Sequence, residues 1–151
     1  MNPEELKINI TDIVPSAKFE EGTEWITINI EPSIWLPAAQ LLRHNPVLNF
    51  DYLFCLTCVD WKTHLTMHYH LHSRTHRSTI VIKSKLDRIN PEIETVSHIW
   101  RTAEFHEREV YELFGVIFLH HPDLRRLVLT DDFNGWPLRK DFEDPINMIK
   151  L

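Results

Sequence analysis

The residues with chemistry to offer fall into two groups, a row of histidines at His64, His68, His70, His72 and His76, and a block of acids and arginines between Glu104 and Asp141. Imidazoles at i and i+2 on one strand face bind zinc when a third ligand and an open position complete a tetrahedron. Neither an HExxH motif nor a paired CxxC accompanies the row. It reads as a solvated or partner-facing surface, and a small zinc enzyme built on His64 to His76 is the alternative. Cys55 and Cys58 stand at the CxxC interval inside an apolar run, 52–59. Residues three apart on a strand point to opposite faces, so two buried thiols are expected and a redox or zinc pair is not. Three glycines leave no GxGxxG or phosphate-cradling loop. Asp131 and Asp132 share a turn, Glu107 and Glu109 lie on different helix faces, and no nucleophile elbow occurs. No catalytic, cofactor-binding or metal residue is therefore assigned to this chain.

The acid and arginine block opens as a helix. Trp100, Ala103, Glu107, Val110 and Phe114 are three and four residues apart and share one face, which Leu113 widens. A carboxylate in an apolar stripe is costly unless paired, so Glu107 is expected to meet a downstream arginine. On that view Glu107→Ala weakens assembly more than Arg108→Ala. Glu104, Arg108 and Glu112 stand four apart on another face, the pattern of a surface charge ladder. Gly115 suits a left-handed residue closing the helix, and residues 116–119 read as a short strand.

Turns then follow at His121-Pro122-Asp123, Thr130-Asp131-Asp132 and Asn134-Gly135-Trp136-Pro137, with Asp123 placed to hold the arginines after it. So many turns with apolar residues between them suggest an arm lying on another surface, because alone it buries too little area to offset its ordering entropy. Its cations Arg125, Arg126, Arg139 and Lys140 suit carboxylates on a partner or Glu107 and Glu109 of the same chain. Tyr111, Phe114, Phe118, Phe133 and Trp136 supply aromatic area, with Phe114 and Phe118 expected in the core and Trp136 outside it.

The elements that position these residues come earlier. Residues 1–17 are polar with a brief Ile8-Asn9-Ile10 alternation and carry no nameable chemistry; residues 20–23 look like a turn. Ile26, Ile28 and Ile30 alternate with Thr27 and Asn29 as a half-buried strand. A helix is expected near residues 35–43, Pro37 fitting only its first turn, and Asn45-Pro46 ends it. Strands follow at 48–60, 65–72 and 78–83, the middle one with apolar side chains inward and imidazoles outward. The chain then crosses 87–94, and Thr95 or Ser97 is placed to cap the last helix. This order gives an α+β fold, a mixed sheet with helices on one face and an extended C-terminal arm: a domain over 1–118 and an arm over 119–151.

A chain of 151 residues has room for a real core. Its net charge of −6, with basic residues scattered except near the end, argues against a nucleic-acid footprint. No secretory signal opens it and no apolar run reaches membrane-spanning length, which points to a soluble, cytoplasmic protein.

Three ordered blocks carry a resemblance: Glu107-Arg108-Glu109-Val110-Tyr111-Glu112-Leu113-Phe114-Gly115, then His121-Pro122-Asp123-Leu124-Arg125-Arg126, then Gly135-Trp136-Pro137-Leu138-Arg139-Lys140-Asp141. Together they resemble the signature of the 30 kDa subunit family of NADH:quinone oxidoreductase, respiratory complex I, whose bacterial members are its C subunits. Weaker similarity reaches back to about Phe50, through Val59-Asp60 and residues 97–100. His120 stands where the family usually has Gly, Thr130 for Pro, Phe133 for Trp and Trp136 for a smaller ring, departures that touch turn shape and packing.

The resemblance implies a structural subunit of the peripheral arm, peripheral to the cytoplasmic face of the bacterial inner membrane, in an enzyme that couples electron transfer from NADH to quinone with proton translocation. It implies no cofactor in this chain, flavin and iron-sulfur clusters in partner subunits, and docking chiefly on the quinone-site subunit. The interface residues implied are Glu107, Arg108, Glu109, Tyr111, Glu112, Pro122, Asp123, Arg125, Arg126, Trp136, Pro137, Leu138, Arg139, Lys140 and Asp141. The equivalent subunit of a membrane-bound hydrogenase or related oxidoreductase shares the signature and is the alternative.

Overall fold

Alternating apolar residues build a five-stranded sheet in the computed structural model, which describes residues 1–149. Its strands are β1 (Lys18–Glu20), β2 (Ile26–Asn29), β3 (Tyr52–Asp60), β4 (Leu65–Ser73) and β5 (Ser78–Leu86), in the order β1-β2-β5-β4-β3. β2 runs parallel to β5 and the other pairs are antiparallel. Period-2 alternation sends Ile28, Leu56, Met67, Tyr69, Leu71, Ile80 and Ile82 to one buried face. Burial of each large apolar side chain contributes about 1.5–3 kcal/mol. Trp35 fills the space over the sheet, its ring 4.6 Å from Tyr69 and 6.4 Å from Trp100.

Two helices cover that face. The helix α1 (Pro3–Ile13) lies in the stretch expected to be merely polar. Leu6 and Ile10, four apart, are its buried residues, and the Asn2 side chain accepts the Glu5 N–H. The strand β1 ends on Glu20, the residue expected to open a turn, and residues 21–25 make the turn to β2. The helix α2 (Pro32–His44) starts three residues before its expected position, which leaves Pro37 inside it and not in its first turn.

A second, two-stranded parallel sheet pairs β6 (Glu92–Glu94) with β7 (Ile117–Leu119), and the helix α3 (Ala103–Phe114) lies between them in sequence. Thr102 precedes α3 in a helical conformation without a side-chain cap, so neither Thr95 nor Ser97 caps this helix. Thr95 precedes and Ser97 opens a turn, residues 97–102, in which Trp100 Nε1 donates to the Phe50 carbonyl at 2.9 Å.

The helix α3 runs beside the free edge of β3. Leu56 N–H donates to His106 Nδ1 at 3.2 Å, and Thr102 Oγ1 donates to the Leu53 carbonyl at 2.9 Å. Those contacts cover backbone groups that an open edge strand would expose. Residues 120–149 contain no helix or strand. The last two residues of the expected arm, 150 and 151, lie outside the described residues.

Candidate functional site

The apolar stripe of α3 is buried as its spacing predicts, with Glu107 fully inside it. No arginine reaches that carboxylate. Its partners are the Thr95 hydroxyl and the Val96 N–H, the latter at 2.8 Å, both from the chain just after β6. His121 Nε2 is 3.7 Å away, with both side chains fully buried. The imidazole accepts the Asp123 N–H at Nδ1 and its Nε2 lies 3.0 Å from the Glu104 carbonyl, a pattern met by the neutral ring with its proton on Nε2. Without a compensating cation, burial pushes the Glu107 carboxyl up to about 7, against the lowering effect of the Thr95 and Val96 bonds.

Arg108 and Glu112 are not a surface ladder, for both are buried, at 5% and 2% exposure. The arginine donates to the Arg125 carbonyl at 3.0 Å and the Arg126 carbonyl at 3.1 Å, with its guanidinium 5.5 Å from the Phe105 ring centre. Glu112 accepts the backbone N–H groups of Leu127, Val128 and Leu129 at 2.9, 3.1 and 3.2 Å. One turn of helix thus presents a donor and an acceptor to successive backbone groups of one loop. Arg126 closes the same loop by donating to the carbonyls of Thr130 and Phe133. Arg125 pairs with Asp123 at the surface, as their spacing suggested.

The segment around residue 138 caps the C-terminus of α3. Leu138 N–H donates to the Leu113 carbonyl at 3.1 Å, and Arg139 Nε donates to the Phe114 carbonyl at 2.7 Å. Carbonyls of the last helical turn have no intrahelical partner and carry the negative end of the helix dipole, so a guanidinium suits that position. Gly115 closes the helix at φ 78°, and Trp136 lies so near that a Cβ there would come within 2.6 Å of its ring. Tyr111 packs on the same indole, ring centres 6.5 Å apart, so Trp136 is a half-buried lid on the helix end. His120 adopts φ 63°, the left-handed conformation that glycine favours.

Lys140 and Asp141 reach the end of β3. Asp60 accepts the N–H groups of Lys62 and Lys140 at 2.7 and 2.8 Å and pairs with the Arg88 guanidinium, which also reaches Asp141 at 3.2 Å. The Arg88 guanidinium, with those two N–H groups, holds the Asp60 carboxyl well below the usual carboxylate range. Sequence reasoning did not assign Asp60, Arg88 or Thr95 to the site. An acid ending a buried strand was the available signal for Asp60; nothing local marked Arg88.

Of the other expected interface residues, Glu109, Pro122, Lys140 and Asp141 are exposed, Leu138 is exposed at 53%, and Pro137 is half-buried. Phe114 and Phe118 are core, and Phe133 stacks on Phe142 with ring centres 6.0 Å apart.

His68, His70 and His72 share the half-buried outer face of β4, as the alternation predicts. Cys55 stands opposite His70 on that face, whereas Cys58, opposite Met67, points into the core. The two thiols therefore do not converge, and burial pushes Cys58 up to about 12. Among the described residues no three His, Cys, Asp or Glu side chains group to hold a metal ion, and no helix is long and apolar enough to cross a membrane.

Comparison with known proteins bears on the same residues. Residues 28–146 match the model of the family described as respiratory-chain NADH dehydrogenase, 30 Kd subunit. The NADH-quinone oxidoreductase C subunit of Roseiflexus sp. is 36% identical over 91% of this chain and 80% of its own length. The F(420)H(2) dehydrogenase C subunit of Methanosarcina mazei is 44% identical over 64% of this chain and 63% of its own. Some curated relatives are much longer: the chain spans 46% of the NADH-quinone oxidoreductase C subunit of Chloroherpeton thalassium and 22% of the fused C/D subunit of Phocaeicola vulgatus. A solved chain of an archaeal membrane-bound sulfane sulfur reductase superposes with a TM-score of 0.81 at 25% identity, covering 93% of this chain and 85% of that one. The matched span takes in β3, β4, β5, α3 and the loops that α3 grips, and on that ground the chain belongs to the family of the 30 kDa subunit of respiratory-chain NADH dehydrogenase.

Proposed function

We propose that this chain is a structural subunit of the peripheral arm of an NADH:quinone oxidoreductase, without an active site, cofactor or metal of its own. It docks through α3 and the segment 119–151 on the subunit that helps form the quinone site, at the cytoplasmic face of the bacterial inner membrane. Flavin and iron-sulfur clusters belong to its neighbours. The observation that carries this reading is the use made of the motif's charges. Arg108, Glu112 and Arg139 are spent on backbone groups of their own chain, where they fix the shape of a surface.

A second reading concerns the electron donor alone. Relatives named for F(420)H(2) dehydrogenase and for sulfane sulfur reductase share this subunit's fold or sequence, so an oxidoreductase fed by another donor, a membrane-bound hydrogenase included, accommodates the same chain. Purification of the tagged chain in mild detergent, with identification of the co-purifying subunits, tests both. Recovery with a quinone-site subunit and flavin-binding, NADH-oxidising subunits is expected. Recovery without them moves the chain to the second reading, and a solitary monomer in cells overturns the proposal. For the zinc alternative, metal analysis is expected to find no stoichiometric zinc that is lost on changing His68 and His70.

A further inference from the structure

The loop at residues 127–129 is held in an unusual way. All three of its successive N–H groups end on the buried Glu112 carboxylate, and the two carbonyls before it end on the buried Arg108 guanidinium. Both charges are taken from water to do this, which is costly unless they are fully satisfied. Yet the side chains so fixed face outward: Val128 is 84% exposed and Leu127 is 39% exposed. Arg126 closes the loop behind them through Thr130 and Phe133, and the exposed carboxylates of Asp131 and Asp132 follow at once.

We infer that Leu127 and Val128 form a preset apolar knob that seats in an apolar socket, rimmed by lysine or arginine, on a neighbouring subunit of the oxidoreductase. This rests on the docking role proposed above. Three steps lead to that partner chemistry. With its N–H groups committed to Glu112, the loop has no donors left to pair with a partner's sheet edge, so recognition falls to side chains. Those side chains are aliphatic, and an aliphatic group gains by entering an apolar cavity. Asp131 and Asp132 beside them select a cationic rim and oppose an anionic lipid surface. Because the loop is fixed by its own chain before contact, association is spared the cost of ordering it.

The test compares the tagged wild-type chain with Val128→Asp, the double variant Asp131→Lys/Asp132→Lys, and Ile8→Asp as a control, each expressed in cells and purified in mild detergent. Ile8 is 61% exposed on α1, another element of the fold. Recovery of the neighbouring subunits is expected to fall about tenfold or more for Val128→Asp, the equivalent of losing one buried aliphatic contact, and to be retained for Ile8→Asp. The double-lysine variant, which leaves the apolar knob and its anchors intact, is expected to lose recovery most steeply at low salt. Thermal unfolding of the purified Val128→Asp chain is expected to match wild type. The inference is overturned if both loop variants recover partners like wild type, or if Val128→Asp instead dissociates a dimer of this chain and leaves partner recovery intact. Failure of the wild-type chain to recover any partner subunit is a separate outcome, which removes the docking role itself.

Discussion

The Thr95 hydroxyl donates to the Glu107 carboxyl where neither residue meets solvent. This bond joins α3 to the chain leaving β6 and replaces the ion pair that a carboxylate in an apolar stripe would otherwise demand. The cost of burying the charged form remains. The Glu107 value of about 7 lies above its ordinary 4.5, so the folded state retains a proton over a range in which the unfolded chain has lost it. The contribution is complete below pH 4.5 and is lost as pH rises through about 7. Summed over that window it amounts to about 3 kcal/mol. Glu107→Gln, which copies the protonated shape, is expected to flatten this dependence and to be more stable than wild type at pH 8. Urea unfolding of both proteins at pH 5 and pH 8 measures it, and an unchanged slope in the variant assigns the pH dependence elsewhere.

Since Glu107 has no arginine, its removal leaves no stranded cation, and the ion-pair ground for expecting Glu107→Ala to weaken assembly more than Arg108→Ala falls away. Arg108→Ala deletes both bonds that hold the Arg125 and Arg126 carbonyls, charge-assisted contacts each worth about 1.5–3 kcal/mol. Glu107→Gln keeps an acceptor for Val96 and a partner for Thr95. Co-purification with other subunits is expected to fall for Arg108→Ala and to persist for Glu107→Gln. Equal recovery of the two variants would sink the assignment of Arg108 as the residue that shapes the loop.

Glu112 makes a narrower claim. Glu112→Gln preserves size but takes the charge from the one oxygen that accepts from residues 127–129 and sets an amide NH2 against the Val128 N–H, so all three bonds weaken, by about 1 kcal/mol each. Hydrogen exchange is the direct readout. Amides of Leu127, Val128 and Leu129 are expected to exchange faster in the variant while those within β4 and β5 keep their protection. If the three amides already exchange freely in wild type, the grip does not operate in solution.

What was legible in the sequence, and what was not, divides along locality. The stripe on α3, the stop at Gly115 and the alternation along β4 are patterns within one element, and the structure reproduces them. Glu107's true partners come from the far side of β6, eleven and twelve residues away, and no spacing within the helix points there. Arg108 and Glu112 misled for a related reason. Alternating charge four apart is the pattern of a solvated helix face, and only the fold of residues 120–130 shows that this face is covered. The helix α1 was missed although its signals were present: Asn2 before Pro3, then Glu4 and Glu5 in the first turn, with Leu6 and Ile10 four apart. Ile8 and Ile10, two apart, imitated a strand; Ile8 is 61% exposed and Ile10 is buried, as a helix requires.

The C-terminal segment is tied to the body at a second place, and that tie has its own pH sense. Asp60 accepts from the Arg88 guanidinium, Lys62 N–H and Lys140 N–H, and its carboxyl is depressed below the ordinary 3.8, chiefly by Arg88. A depressed group contributes stability that is present above its unfolded value and lost as pH falls through the folded one. At neutral pH this anchor is therefore fully formed, and it is expected to fail only well into acid. Asp60→Asn removes the charge without acid. In that variant the chain at residues 138–141 is expected to loosen while α3 stays folded, because Leu138 and Arg139 still reach the Leu113 and Phe114 carbonyls. Trypsin at neutral pH reads the difference, with cleavage after Arg139 or Lys140 faster in the variant under native conditions. In acid unfolding followed by circular dichroism, wild type is expected to lose stability below pH 3.8 more steeply than Asp60→Asn. Identical cleavage rates together with parallel acid transitions would mean that Asp60 does not hold the segment.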